Sequence, residues 1–129
     1  MAASKILIVE GEDEARGVHR DELEAGGFFV HAVRTASQCI SVVRKLRPDL
    51  IVMERRLPDG DGWELARVIK GMSSTAHIKV IGLSASASHD EIERALATGC
   101  DAFLATPLRP GALLVQVQRL VGSKPSTPG

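Results

Sequence analysis

The sequence predicts an α/β domain in which five strands alternate with five helices around an open parallel sheet with right-handed crossovers. Three observations carry that prediction. Residues 5–9, 50–53 and 78–83 are short, largely apolar runs of the kind buried on both faces of a parallel sheet. Between such runs, apolar residues recur at helical spacing, as in Ala36, Ile40, Val43 and Leu46. Capping pairs, Gly and Pro fall at the junctions, with Thr35/Gln38 and Ser88/Glu91 at the capping-box interval.

Residues 5–9 form the first predicted strand. The acids that follow, Glu10 and Glu12 to Glu14, lead into a helix over about 13–25, where the macrodipole favours carboxylates. Its apolar face is thin (Ala15, Val18, Leu23), and Gly26-Gly27 stops it. A second strand covers 28–33. The second helix runs from the Thr35 cap to Arg47, and Pro48 ends it before the central strand at 50–53. Leu65, Val68, Ile69 and Met72 mark a third helix, and Ile92, Ala95 and Leu96 a fourth, on either side of the strand at 78–83. A short fifth strand spans 101–105. Pro110 suits the first position of a last helix carrying Leu113, Leu114, Val117 and Leu120.

Sixteen basic and sixteen acidic residues cancel, so no global field draws the chain to nucleic acid or an anionic membrane. One Trp, three Phe and no Tyr leave too few aromatic faces for stacking single-stranded bases. No apolar run approaches a membrane span, and nothing at the N-terminus resembles a signal peptide, which points to the cytoplasm. Cys39 and Cys100 lack metal-ligand spacing and read as small core residues. The four histidines are scattered over different elements, which argues against a metal site or a phosphohistidine.

The chain is organised around residues 48–65. An apolar strand ends in the carboxylate Glu54, and Leu57-Pro58 with Asp59-Gly60-Asp61-Gly62 then turns the chain. Asp61 and Glu64 have capping spacing for the next helix. Asp59 and Asp61 read as turn and cap residues, and Trp63 as a partly exposed packing residue. Ligands of open α/β sheets bind in the crevice beyond the strand ends, which is where Glu54 is expected.

Five segments, in this order and spacing, resemble the receiver domain of bacterial response regulators, the CheY-like module of two-component signalling. They are Lys5 to Glu10, Arg47-Pro48-Asp49-Leu50-Ile51, Leu57-Pro58 with Asp61-Gly62, Val80 to Ala85, and Gly99 to Leu104 followed by Pro107. The resemblance runs from Lys5 to about Val121. It implies a flavodoxin-like (βα)5 fold, doubly wound, with strand order 2-1-3-4-5. Residues 1–121 then form the domain, and 122–129 have the composition of a flexible tail or linker.

In that family an aspartate at the third strand's tip takes a phosphoryl group from a histidine kinase. Two acids after the first strand help hold Mg²⁺, and a Ser or Thr and a Lys contact the phosphoryl oxygens. By resemblance the phosphoacceptor position is Glu54, the first acid is Glu10, and the second acid's position is Gly11. Ser84 takes the hydroxyl position, Thr106 the lysine position and Phe103 the aromatic switch, and Pro107 is expected to follow a cis peptide. Mg²⁺ binding through Glu10 and Glu54 is therefore expected to be weak, although Glu12 could partly compensate for Gly11, and no other cofactor is expected.

The expected function is a degenerate receiver, not an enzyme, that acts as a phosphorylation-independent protein-interaction module. Its partner would be a signalling protein, such as a histidine kinase or output protein, with no nucleic acid and no membrane. The family's fourth helix, fifth strand and fifth helix would offer the contact face (His89, Glu93, Arg94, Asp101, Arg119), with homodimerisation there an open option. One alternative is a working phosphoacceptor that uses Mg²⁺, and another is a small flavodoxin-like cofactor-binding protein, although no Gly-x-Gly-x-x-Gly or Walker-type loop is present. Ser84 is expected to donate a hydrogen bond to Glu54. Arg56 either pairs with Glu10 or Glu54 as an internal cation or is solvated at its loop.

Overall fold

The structure is a computed structural model that describes residues 3–122. Of the tail expected over 122–129, only Gly122 falls within the described residues. The strands β1 (Lys5–Val9), β2 (Phe29–Val33), β3 (Leu50–Glu54), β4 (Lys79–Ser84) and β5 (Ala102–Ala105) pair in parallel, in the order β2-β1-β3-β4-β5. The helices α1 (Asp13–Ala25), α2 (Ala36–Leu46), α3 (Gly62–Gly71), α4 (His89–Ala97) and α5 (Ala112–Val121) connect and follow them. This is the flavodoxin-like doubly wound arrangement.

Alternation along each strand sends successive side chains to opposite faces, and so builds two cores. Leu7, Val9, Ile51, Met53 and Val80 meet Val43, Ile69 and Ala95 from α2, α3 and α4. On the other face Ile6, Ile8, Leu50, Val52 and Ile81 meet Leu23 of α1 with Leu113 and Val117 of α5. Burying each Leu, Ile or Val of this kind contributes about 1.5–3 kcal/mol. Cys39 and Cys100 are free thiols within the first core, where burial pushes them up to about 12 and about 11.

Several elements differ from the sequence reading. The edge strand begins at Phe29, because Phe28 turns into the core while Phe29 stays 53% exposed. In α1 it is His19, not Val18, that joins Leu23 inside, and desolvation lowers the His19 pKa despite Glu10 and Glu22. Pro110 is not the first residue of α5. That helix starts at Ala112 after the cap Gly111, and Leu114 N donates to Glu22 Oε2 across 2.8 Å. A carboxylate from α1 thereby supplies the cap that glycine lacks.

Thr35 and Gln38 form the reciprocal box at the start of α2, and Asp59 adds to it by accepting from Ala36 N (2.8 Å) and Ser37 N (3.0 Å). Asp61 caps α3 through Trp63 N, while Glu64 faces solvent and lies 3.6 Å from Arg67. Residues 56–57 and 60–61 pair as a small antiparallel ribbon that periodicity had not shown. Trp63 is buried (1% exposed), correcting the partly exposed placement. Its ring fits over Gly82, where a Cβ would lie 2.7 Å from it, and Phe103 meets it edge-on at 6.3 Å.

At the strands' N-terminal end, Lys70 Nζ donates to Ile78 O (2.7 Å) and Asp101 Oδ2 (2.9 Å). Asp101 Oδ2 also accepts from Val80 N at 2.8 Å, joining α3, β4 and the start of β5. No helix among the described residues is long and apolar enough to cross a membrane.

Candidate phosphoacceptor cleft

Glu10 directly follows β1 and Glu54 ends β3, so parallel pairing of these neighbouring strands brings two carboxylates to one end of the sheet. A cleft of about 910 Å³ opens there, lined by Glu10, Glu54, Arg56 and Thr106, with Val18 and Pro107 on its apolar wall. Glu10 is buried and its Oε2 accepts from Glu12 N at 3.1 Å. Burial, and then the charge of Glu10, push the Glu54 carboxyl up to about 7. Backbone N–H groups of Arg55 and Arg56 pull the other way without cancelling that rise.

Of the two placements open to Arg56, the structure has the one at solvent. Arg56 is exposed at the cleft, and among the described residues its side chain forms no ion pair with Glu10 or Glu54. The arginine that is held is Arg55, whose Nε meets Asp61 Oδ1 at 3.0 Å and whose NH1 meets Glu91 Oε2 at 3.0 Å. Nor does Ser84 reach Glu54. Its Oγ donates to Glu91 Oε2 (3.0 Å) and accepts from Ser86 N (3.1 Å). Thr106 borders the cleft, its N–H donates to Ser84 O at 2.9 Å, and the Thr106–Pro107 peptide is cis. Phe103 is half-buried against Trp63.

The response regulator receiver domain family matches residues 6–118. The chain belongs to that family. This receiver domain is 29% identical, over 91% of its length and 95% of the relative's, to the polar-differentiation response regulator DivK of Brucella anthropi. Among solved structures it is similar to the receiver domain of a Pseudomonas aeruginosa sensor histidine kinase. That structure, with a magnesium ion coordinated in its active-site cleft, gives a TM-score of 0.85 at 30% identity, covering 94% of this chain and 99% of that one. The Vibrio cholerae chemotaxis protein CheY4 shares the fold, with a TM-score of 0.88 at 22% identity, covering 93% of this chain and 100% of that one.

Glu12 lines the same cleft as Glu10 and Glu54. Gly11 stands where the second acid is expected, and a Cβ there would lie 2.6 Å from Pro58 Cδ. The space for that side chain is thus already taken by a proline ring. Among the described residues no group of three or more His, Cys, Asp or Glu is placed to hold a metal. Mg²⁺ typically binds through one or two carboxylates and keeps several waters, so Glu10 and Glu54, with Glu12 on the same cleft, are the residues that would hold it.

On the expected contact face, His89 and Glu93 are exposed and 3.2 Å apart, and Arg94 is exposed as well. Asp101 and Arg119 are also exposed, the first bonded to Lys70 and the second to Gln116. Sequence reasoning missed Arg55 and Glu91. The Ser88/Glu91 interval had suggested a capping box, but only Ser88 keeps its half, accepting from Glu91 N at 3.2 Å. No local pattern marks an ion pair formed across 36 positions.

Proposed function

We propose that this receiver domain is a degenerate one that works without phosphorylation, as a cytoplasmic protein-interaction module and not an enzyme. One observation carries the reading: Glu10 and Glu54 share a cleft in which no side-chain cation of the described residues pairs with either. Moving a phosphoryl group onto a carboxylate crowds negative charge, and the reaction depends on fixed positive charge to offset it. Here the lysine position holds Thr106, the second acid's place is filled by Pro58, and Arg55 is spent on Asp61 and Glu91. Glu at the acceptor also moves the nucleophilic oxygen by about 1.5 Å, a displacement that costs on the order of 10²-fold. Neither Mg²⁺ nor another cofactor is needed for the proposed role.

Receiver domains bind histidine kinases and output proteins, and the partner proposed here is one of these two kinds. The similarity to a receiver borne by a sensor histidine kinase supports the first. The α4–β5–α5 face, with His89, Glu93 and Arg94 free to solvent, is the proposed surface for that partner or for a second copy. Incubation with acetyl phosphate and Mg²⁺, followed by intact-mass measurement, tests the reading. The expected result is the unmodified mass; a stoichiometric phosphoryl adduct mapped to Glu54 would restore the working-acceptor alternative.

A further inference from the structure

Ser84 is buried at the end of β4, and its one hydroxyl proton is committed. The oxygen accepts from Ser86 N at 3.1 Å, and its single proton goes to Glu91 Oε2 at 3.0 Å. A hydroxyl has only one proton to give, so none is left to donate to Glu54. Glu91 occupies the third position of α4, from which a capping-box carboxylate would fold back onto the Ser88 N–H. It turns instead toward the sheet, 7% exposed, and the same Oε2 receives Arg55 NH1 at 3.0 Å.

Arg55 is itself fixed from three sides. Its backbone N is shared between Leu83 O at 2.8 Å and the neighbouring Glu54 Oε2 at 3.1 Å, whereas its side-chain Nε donates to Asp61 Oδ1 at 3.0 Å. The guanidinium carbon lies 5.8 Å from the Trp63 ring centroid, within cation–π range. One chain of contacts therefore runs from the end of β4, through α4 and the loop after β3, to the cap of α3.

We propose that Arg55 and Glu91 are positioning residues that commit the Ser84 hydroxyl to α4, so that this end of the sheet is set from inside the chain whatever the charge at position 54. The inference rests on the phosphorylation-independent reading and supplies its mechanism: α4 is held in one arrangement by an ion pair. Turning Ser84 toward the acceptor would break its bond to Glu91 and leave that buried carboxylate on the partly exposed Arg55 alone. In this latch Glu91 Oε2 is the acceptor that Ser84 and Arg55 share, so its removal frees both.

The test uses the full chain, labelled with ¹³C and ¹⁵N, with no phosphoryl donor present. The readouts are the Glu91 side-chain carboxyl resonance and amide exchange across α4. Ser84→Ala and Arg55→Gln are each expected to shift the Glu91 carboxyl resonance, and Glu54→Gln to leave it in place. Glu91→Gln is expected to speed amide exchange in α4 by about tenfold or more, against less than about twofold for Glu54→Gln. A Glu91 resonance that ignores Ser84→Ala, or that follows Glu54→Gln equally, overturns the latch. Should Glu91→Gln fail to fold, Ser84→Ala, which deletes a single oxygen, still decides the question through that resonance. An adduct in the acetyl phosphate experiment would instead strike the functional reading alone.

Discussion

Glu54 is the residue at which charge and burial conflict most directly. Its carboxyl is pushed up to about 7 from an ordinary 4.5, so the folded state holds a proton that the unfolded state releases across that interval. The associated stability is fully present below about 4.5 and is lost as pH rises through about 7. Glu54→Gln should therefore stabilise the protein at pH 8 by on the order of 1 kcal/mol, allowing for solvent screening of a partly exposed group, and much less at pH 5. Urea midpoints at the two pH values check this, and an equal gain at both would refute the assignment. The positions of Glu10, Glu54, Ser84 and Thr106 were legible in the sequence because each follows a recognisable strand. What those side chains do was less legible. Ser84 has neighbours in both directions, and only the packed structure shows that Glu91, seven residues on, takes its proton.

At the scale of elements, helix ends are completed by distant carboxylates more than by local ones. Asp59 serves the first turn of α2, and Glu22 serves α5 from across the α1–α5 contact. Glu22→Ala is expected to lower stability by about 1 kcal/mol, with Glu22→Gln losing less because an acceptor oxygen remains. Chemical denaturation with an unchanged m-value reads this directly. The sequence showed that a helix follows Pro110, since Leu113, Leu114, Val117 and Leu120 carry the period. It did not show where that helix begins, because Gly111 has no side chain to announce a cap and the substitute lies 92 positions away from Leu114.

Across the whole molecule, the sheet separates two cores that share no side chains, one under α2, α3 and α4 and one under α1 and α5. Ile69→Val and Leu113→Ala, fully buried on opposite faces, should cost about 0.5–1.5 and about 2–5 kcal/mol respectively. The double variant should lose their sum within about 0.5 kcal/mol, and a larger deviation in denaturant melts would mean that the sheet transmits strain between its faces. This architecture was the most legible part of the chain, because apolar runs of strand length and amphipathic helices alternate without a break. The ammonium of Lys70, gripping Ile78 and Asp101, adds an asymmetry along the strands. It rivets the upstream ends of β4 and β5 together, so any rearrangement of this pair must pivot from there. A partner that reshapes the domain has leverage only downstream, where one serine proton and one arginine act as the catch.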